Sequence, residues 1–281
     1  MTIPIGVNLT SIGVTSAWWM ASAQEVEKAG FSGAWCWDHH ISRGKKFDPV
    51  LECWTTLTAA AAHTSRIKVG SFVTNVMNRH PAILARMLAT IWDQSGGRVE
   101  LGIGVGGFAG EAEAYGISFP EPAQRSAVLE EAVAVLRLMW SGGPTNYDGR
   151  FLHLKEAWSH PAPDPPPRII IGGEKPGGAR LAARAGDGWT TNAPEYERLL
   201  PIHLAELSAH GRSRAEVTHM VAVTLSRDEP LDRQPLIADM AGFAAEWADK
   251  GADELIVNWV RPAELPALLE AAERAGLASS S

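Results

Sequence analysis

Asp38-His39-His40 places a carboxylate beside two imidazoles directly after an apolar run, Ala34 to Trp37. Histidine titrates near neutral pH, so such a pair can carry a proton to or from a substrate. In this reading His39 is the acid or base, and Asp38 fixes its tautomer and raises its basicity. Two alternatives stand beside it. One is a solvated loop in which Asp38 caps a helix. The other is a metal site, but no further Cys/His set stands at a recognised ligand spacing.

Two glycine clusters are the next chemical signal. Ile169 to Trp189 reads IIIGGEKPGGARLAARAGDGW. It predicts a buried strand, a glycine loop and a helix. That geometry aims backbone N–H groups at an anion, here a cofactor phosphate. The second cluster, Gly102 to Gly107, matches GxGxxG. The dinucleotide fingerprint also needs a helix at the last glycine and an acid about 20 residues further on. Phe108-Ala109-Gly110 and a proline-containing loop follow instead. The cluster is therefore read as a rim that lets a flat ring lie close to the backbone, with a plain tight turn as the alternative. There is no GxSxG elbow, no GxxxxGK[ST] loop and no lysine at a strand end. Reactivity then belongs to a bound cofactor.

The elements that position these groups alternate along the whole chain. Predicted strands are Ile3 to Leu9, Ala34 to Trp37, Lys68 to Val73, Val99 to Gly104, Ile169 to Ile171, Gly188 to Thr191, Thr218 to Leu225 and Glu254 to Asn258. Helical patterns follow each. Asp48-Pro49 reads as the opening of the second helix, with Asp as cap and Pro in the first turn. Leu129, Ala132, Val133, Leu136, Met139 and Trp140 share one stripe of a helix over Gln124 to Trp140. Eight strands and eight helices indicate a single (β/α)8 TIM barrel over residues 1–281, rather than an open doubly wound sheet. The stretch of about 141–167, with a hairpin turn at Asp148-Gly149 and a proline cluster, reads as an insertion between helix 4 and strand 5. Barrel enzymes work at the C-terminal strand ends. There stand Asn8, Thr10, Asp38, His39, His40, Thr74, Asn75, the two glycine clusters, Asn192, Asn258 and Trp259.

Bulk properties limit the partners. The 281 residues carry a formal net charge of −7, which argues against nucleic acid. No run is apolar enough to span a bilayer. Cys36 and Cys53 lie in apolar stretches and read as buried free thiols of a reducing, cytoplasmic setting. Eleven tryptophans are an excess that extra core or an aromatic pocket would use. Trp37, Trp158 and Trp259 are the candidate pocket walls.

Several segments together resemble the bacterial luciferase-like flavin monooxygenase family, and within it the oxidoreductases that use the deazaflavin coenzyme F420. They are GFSGAWCWDHH (Gly30 to His40), RIKVGSFVTNVMNRHPAILARMLATIWDQSGGRVELGIGVGG (Arg66 to Gly107), LRLMW, YDGRFLHL and the Ile169 to Trp189 run. The resemblance implies a barrel, usually a homodimer, with the ring of coenzyme F420 or FMN at its C-terminal mouth. It puts Asp38 and His39 beside the ring. Asn75, Gly104, Gly106 and Gly107 flank it, while Gly172, Gly173, Gly177 and Gly178 hold the phosphate. It also implies a non-prolyl cis peptide, Phe72–Val73, behind the ring. Arg43, Lys45 and Lys46 could meet the anionic tail of the deazaflavin. The expected activity is hydride transfer between F420 and a small organic substrate. Alternatives are an FMN-dependent monooxygenase and a flavin-binding protein without turnover. Relatives that oxidise sugar phosphates carry an acid close behind the strand 4 glycines. Here the first acid is Glu111, which argues against that substrate.

Overall fold

Isoleucine, valine and alanine runs too short for helices become the strands of a closed barrel. The computed structural model describes residues 3–42, 44 and 48–279. Its strands are β1 (Ile5–Leu9), β2 (Gly33–Cys36), β3 (Lys68–Asn75), β4 (Val99–Gly104), β5 (Thr145–Asp148), β6 (His153–Ala157), β7 (Ile169–Gly172), β8 (Gly188–Asn192), β9 (Thr218–Thr224) and β10 (Glu254–Val260). β1, β2, β3, β4, β7, β8, β9 and β10 pair in parallel in that order, and β10 closes onto β1. This is the (β/α)8 barrel expected from the alternation. β5 and β6 form a separate antiparallel hairpin between helix Pro122–Met139 and β7. Its turn lies at Asp148-Gly149, where Gly149 N–H donates to the Leu152 carbonyl at 2.9 Å.

Side chains alternate between the barrel interior and the helical shell. The interior cluster takes Trp35, Ile170, Met220 and Ile256 from four strands. A Cβ at Gly6 would lie 2.1 Å from the Trp35 ring, and one at Gly33 would lie 2.6 Å from it. These glycines leave the space that the indole fills. The larger cluster packs the outer strand faces against the helices. Cys36 and Cys53 are buried free thiols within it, as their apolar surroundings imply.

Two local readings are corrected. Asp48-Pro49 does not open a helix. Pro49 and Leu51 pair instead with the loop after β1, through Gly13 N–H to Pro49 O at 2.8 Å and Leu51 N–H to Ser11 O at 2.9 Å. The helix starts at Cys53, capped by Glu52, whose carboxylate accepts from Thr55 N–H at 2.7 Å. The helix count also differs: the described residues form ten α-helices. One of the additional ones, Ala109–Ala114, follows the β4 glycines and bears on the site. The Phe72–Val73 peptide is cis, and the β3–β4 register shifts between Ser71 and Thr74 at that point. No described helix is long and apolar enough to cross a membrane.

Candidate active site

A cavity of about 820 Å³ opens at the C-terminal mouth of the barrel. Asp38, His39, Phe72, Val73, Asn75, Gly104, Gly106, Gly107, Gly172, Gly173, Gly177 and Gly178 all line it. These twelve residues therefore face one space. Their individual surroundings differ from the expectation at several points.

Asp38 is not the partner of His39. Its carboxylate is buried and receives both arms of Arg79, Nη1 to Oδ2 at 2.7 Å and Nη2 to Oδ1 at 2.8 Å. Asn75 N–H donates to Oδ2 at 3.1 Å. Arg79 also reaches Glu52 at 2.5 Å. This bidentate pair ties the loops after β2 and β3 to the cap of helix Cys53–His63. Burial would lower the Arg79 pKa, but the Asp38 hydrogen bonds and charge raise it above its usual value.

The carboxylate beside His39 is that of Glu111. His39 Nδ1 lies 3.0 Å from Glu111 Oε2. The other carboxylate oxygen accepts the backbone N–H groups of His40 and Ile41. Burial pushes the Glu111 carboxyl up, yet the hydrogen bonds from His39 and His40 outweigh it and hold it below the usual carboxylate range. The carboxylate is thus ionised at neutral pH and accepts from a protonated Nδ1. That fixes the tautomer of His39, with Nε2 the ring nitrogen that Glu111 does not engage. Glu111 lies well after the glycines in sequence. Helix Ala109–Ala114 folds it back beside His39. The helical run AGEAEA was the one signal that could have found it.

Val73 explains two of the glycines. A Cβ at Gly104 or Gly172 would lie 3.0 or 3.1 Å from its methyl groups, whereas one at Gly102 would strike the Ser71 carbonyl oxygen at 2.1 Å. Val73 packs across Gly104 on β4 and Gly172 on β7, and both glycines still line the cavity. Gly106 has φ +73°, and a Cβ there would strike the Asn75 side chain at 2.5 Å. Asn75 in turn shapes its own loop, donating to Asn78 at 3.0 Å and accepting Met77 N–H at 3.0 Å.

The glycines after β7 divide similarly. Gly173 and Gly178 touch backbone to backbone, and a Cβ on either would sit 2.6 Å from the other. A Cβ at Gly177 would meet nothing within 4 Å. Helix Pro176–Ala185 begins here with no side-chain cap on its N–H groups. Those groups line the cavity, and Lys175 stands beside them. Buried Thr190 also lines it, and its hydroxyl has no protein partner. An uncapped helix start, open space at Gly177 and an orphaned hydroxyl together fit a phosphorylated cofactor.

Of the tryptophans, Trp37 lines the cavity, with its ring centroid 5.4 Å from that of His39. Trp259 stacks behind it at 4.8 Å, and the Arg227 guanidinium lies 4.6 Å over Trp259. Trp158 does not line the cavity. It is exposed after β6 and stacks on His160 at 5.2 Å. Arg43, Lys45 and Lys46 lie outside the described residues.

The family profile described as luciferase-like monooxygenase matches residues 13–234. This chain belongs to the luciferase-like monooxygenase family. An F420-dependent glucose-6-phosphate dehydrogenase from Kineococcus radiotolerans is 32% identical over 74% of this chain and 63% of its own length. An F420-dependent hydroxymycolic acid dehydrogenase from Mycobacterium tuberculosis is 34% identical over 69% of this chain and 54% of its own. The matched region thus spans less than two thirds of these relatives. Among solved structures, an F420-dependent secondary alcohol dehydrogenase in complex with an F420–acetone adduct superposes with TM-score 0.83. It is 20% identical and covers 98% of this chain and 99% of its own. At that identity the likeness speaks for the shared barrel alone.

The glycine geometry of this luciferase-like barrel makes a stability prediction. Gly178→Ala is expected to lower the thermal midpoint by several degrees, because its Cβ meets backbone. Gly177→Ala should leave the midpoint unchanged or raise it slightly, since alanine favours helix by up to about 1 kcal/mol. Thermal unfolding of both variants checks this; equal shifts would show that the loop relaxes around either methyl.

Proposed function

We propose that this chain is an oxidoreductase that binds coenzyme F420 and moves a hydride between it and a small organic substrate. The observation that carries the reading is one cavity that joins the His39–Glu111 pair to the uncapped glycine loop after β7. The F420-dependent relatives support the choice of cofactor. Gly177, Gly178 and Lys175 would hold the phosphate, and Val73, Gly106 and Thr190 would border the ring. When bound, the deazaflavin accepts or supplies the hydride.

The chain's own residues manage the matching proton. Glu111 keeps Nδ1 of His39 protonated, so Nε2 takes the hydroxyl proton when an alcohol is oxidised. In the reverse direction the imidazolium returns that proton to the substrate oxygen. Trp37 walls the same space beside His39. Asp38 contributes by fixing Arg79 and the loop after β3, not by tuning the base.

Fluorescence titration of the purified protein with F420 and with FMN tests the reading. Tight binding of F420 and weak binding of FMN is expected. Binding of FMN alone favours the monooxygenase alternative, and binding of neither removes the assignment of the glycine loop.

A further inference from the structure

Behind the glycine loop, away from the cavity, lies a buried stack that the proposed chemistry does not use. Trp189 and His203 stack with ring centroids 4.6 Å apart and planes 15° apart. Trp189 Nε1–H donates to the carbonyl of Gly173 at 3.2 Å. His203 Nδ1 lies 2.8 Å from the carbonyl of Ala179. A carbonyl only accepts, so Nδ1 carries the proton. Burial holds the His203 pKa below the usual imidazole range, so the ring is neutral and this tautomer is fixed. Both side chains are buried.

The two acceptors bracket the loop. Gly173 directly follows β7, Ala179 lies in the first turn of helix Pro176–Ala185, and the uncapped N–H groups of Gly177 and Gly178 fall between them. Each carbonyl is pulled outward by an indole or imidazole N–H. Gly173 N–H is in turn held by Thr190 O at 2.9 Å. The loop has little tendency of its own to keep its N–H groups converging, because glycines lose more conformational freedom on ordering than other residues.

We infer that His203 and Trp189 are positioning residues for the cofactor phosphate: by clamping the carbonyls of Gly173 and Ala179 they hold the loop's N–H groups on the anion. The inference rests on the F420 reading above and adds to it residues that touch neither cofactor nor substrate. It separates phosphate affinity from ring affinity.

The test compares F420 with the ribityl deazaflavin that lacks the phosphate and tail, each titrated by fluorescence. His203→Leu removes the donor at similar volume and is expected to weaken F420 about tenfold. Affinity for the phosphate-free deazaflavin should stay within about twofold, since it makes no anion contact with the loop. His203→Asn, whose amide N–H can replace Nδ1–H, should recover most of the loss. Trp189→Phe removes only the other donor and should show the same selectivity, which keeps the test valid if the leucine variant does not fold. Equal weakening of both ligands, or no weakening of F420, overturns the inference. If the wild type binds F420 but is indifferent to these changes, only this inference falls. If the wild type binds no F420, the cofactor reading falls with it.

Discussion

His39→Ala is expected to cut turnover by about 10²–10⁴-fold while F420 affinity stays within a few fold. The ring nitrogen lost in this variant is the one the geometry leaves for substrate, because Nδ1 is committed to Glu111 at 3.0 Å. Nothing in the phosphate loop depends on it, so binding and chemistry should separate. Glu111→Gln is the companion variant. It keeps the side-chain volume but cannot satisfy all three donors that now converge on the carboxylate, from His39, His40 and Ile41. A glutamine oxygen turned toward His39 would point its amide N–H₂ at two backbone N–H groups. The amide therefore turns its oxygen to the backbone and its N–H₂ to Nδ1, which reverses the tautomer of the imidazole, and turnover should drop about 10- to 100-fold, less than for His39→Ala. Steady-state kinetics with F420 and single-turnover rates read both variants. Full activity in His39→Ala would remove the proton-transfer role. Full activity in Glu111→Gln would reduce Glu111 to a loop anchor.

The barrel was legible because its signal is repeated. Each apolar run is followed by a helical stripe, and errors at one boundary do not disturb the count. β4 runs from Val99 to Gly104 as expected, and the other barrel strands shift by two residues or fewer at either end. The sites of chemistry were legible as places rather than as partnerships. Asp38 and His39 are neighbours in sequence, but consecutive residues leaving a strand point different ways. Asp38 turns to Arg79, and His39 turns to an acid brought back by a helix only six residues long. The glycines marked where backbones approach closely. What approaches them is a matter of packing across strands, and the Ser71 carbonyl against Gly102 and the Val73 methyl groups against Gly104 and Gly172 leave no local trace. Trp158 shows the converse, since an aromatic residue near polar neighbours can stand on the surface. Asp48-Pro49 carried the local pattern of a helix start, but pairing with the loop after β1 satisfied its backbone first.

Arg79→Met is expected to be the most destabilising of these changes, by about 3–5 kcal/mol, because it leaves the Asp38 carboxylate buried without its counter-charge. Asp38 has 1% of its side chain exposed and Arg79 13%, so water cannot replace the lost partner. Asn75 and Asn78 supply the remaining contacts to Oδ2, at 3.1 and 3.3 Å, and neither carries charge. Asp38→Asn should cost less, since Arg79 keeps Glu52 at 2.5 Å. Replacing both residues by apolar ones should recover much of the loss, which a double-mutant cycle in urea would read as strong coupling. Acid gives a second reading. Burial pushes the Glu52 carboxyl up, but Thr55 and Arg79 hold it below the usual range. A carboxyl depressed in the folded state contributes stability above its unfolded pKa and loses it as pH falls. The wild type should therefore weaken through that acid window, and Arg79→Met should weaken less. An Arg79→Met protein as stable as the wild type would mean that Asp38 is free to serve His39 after all. In that case Asp38→Asn should lower turnover as Glu111→Gln does. With the ion pair intact, Asp38→Asn should lower stability and leave the turnover of the folded fraction within a few fold.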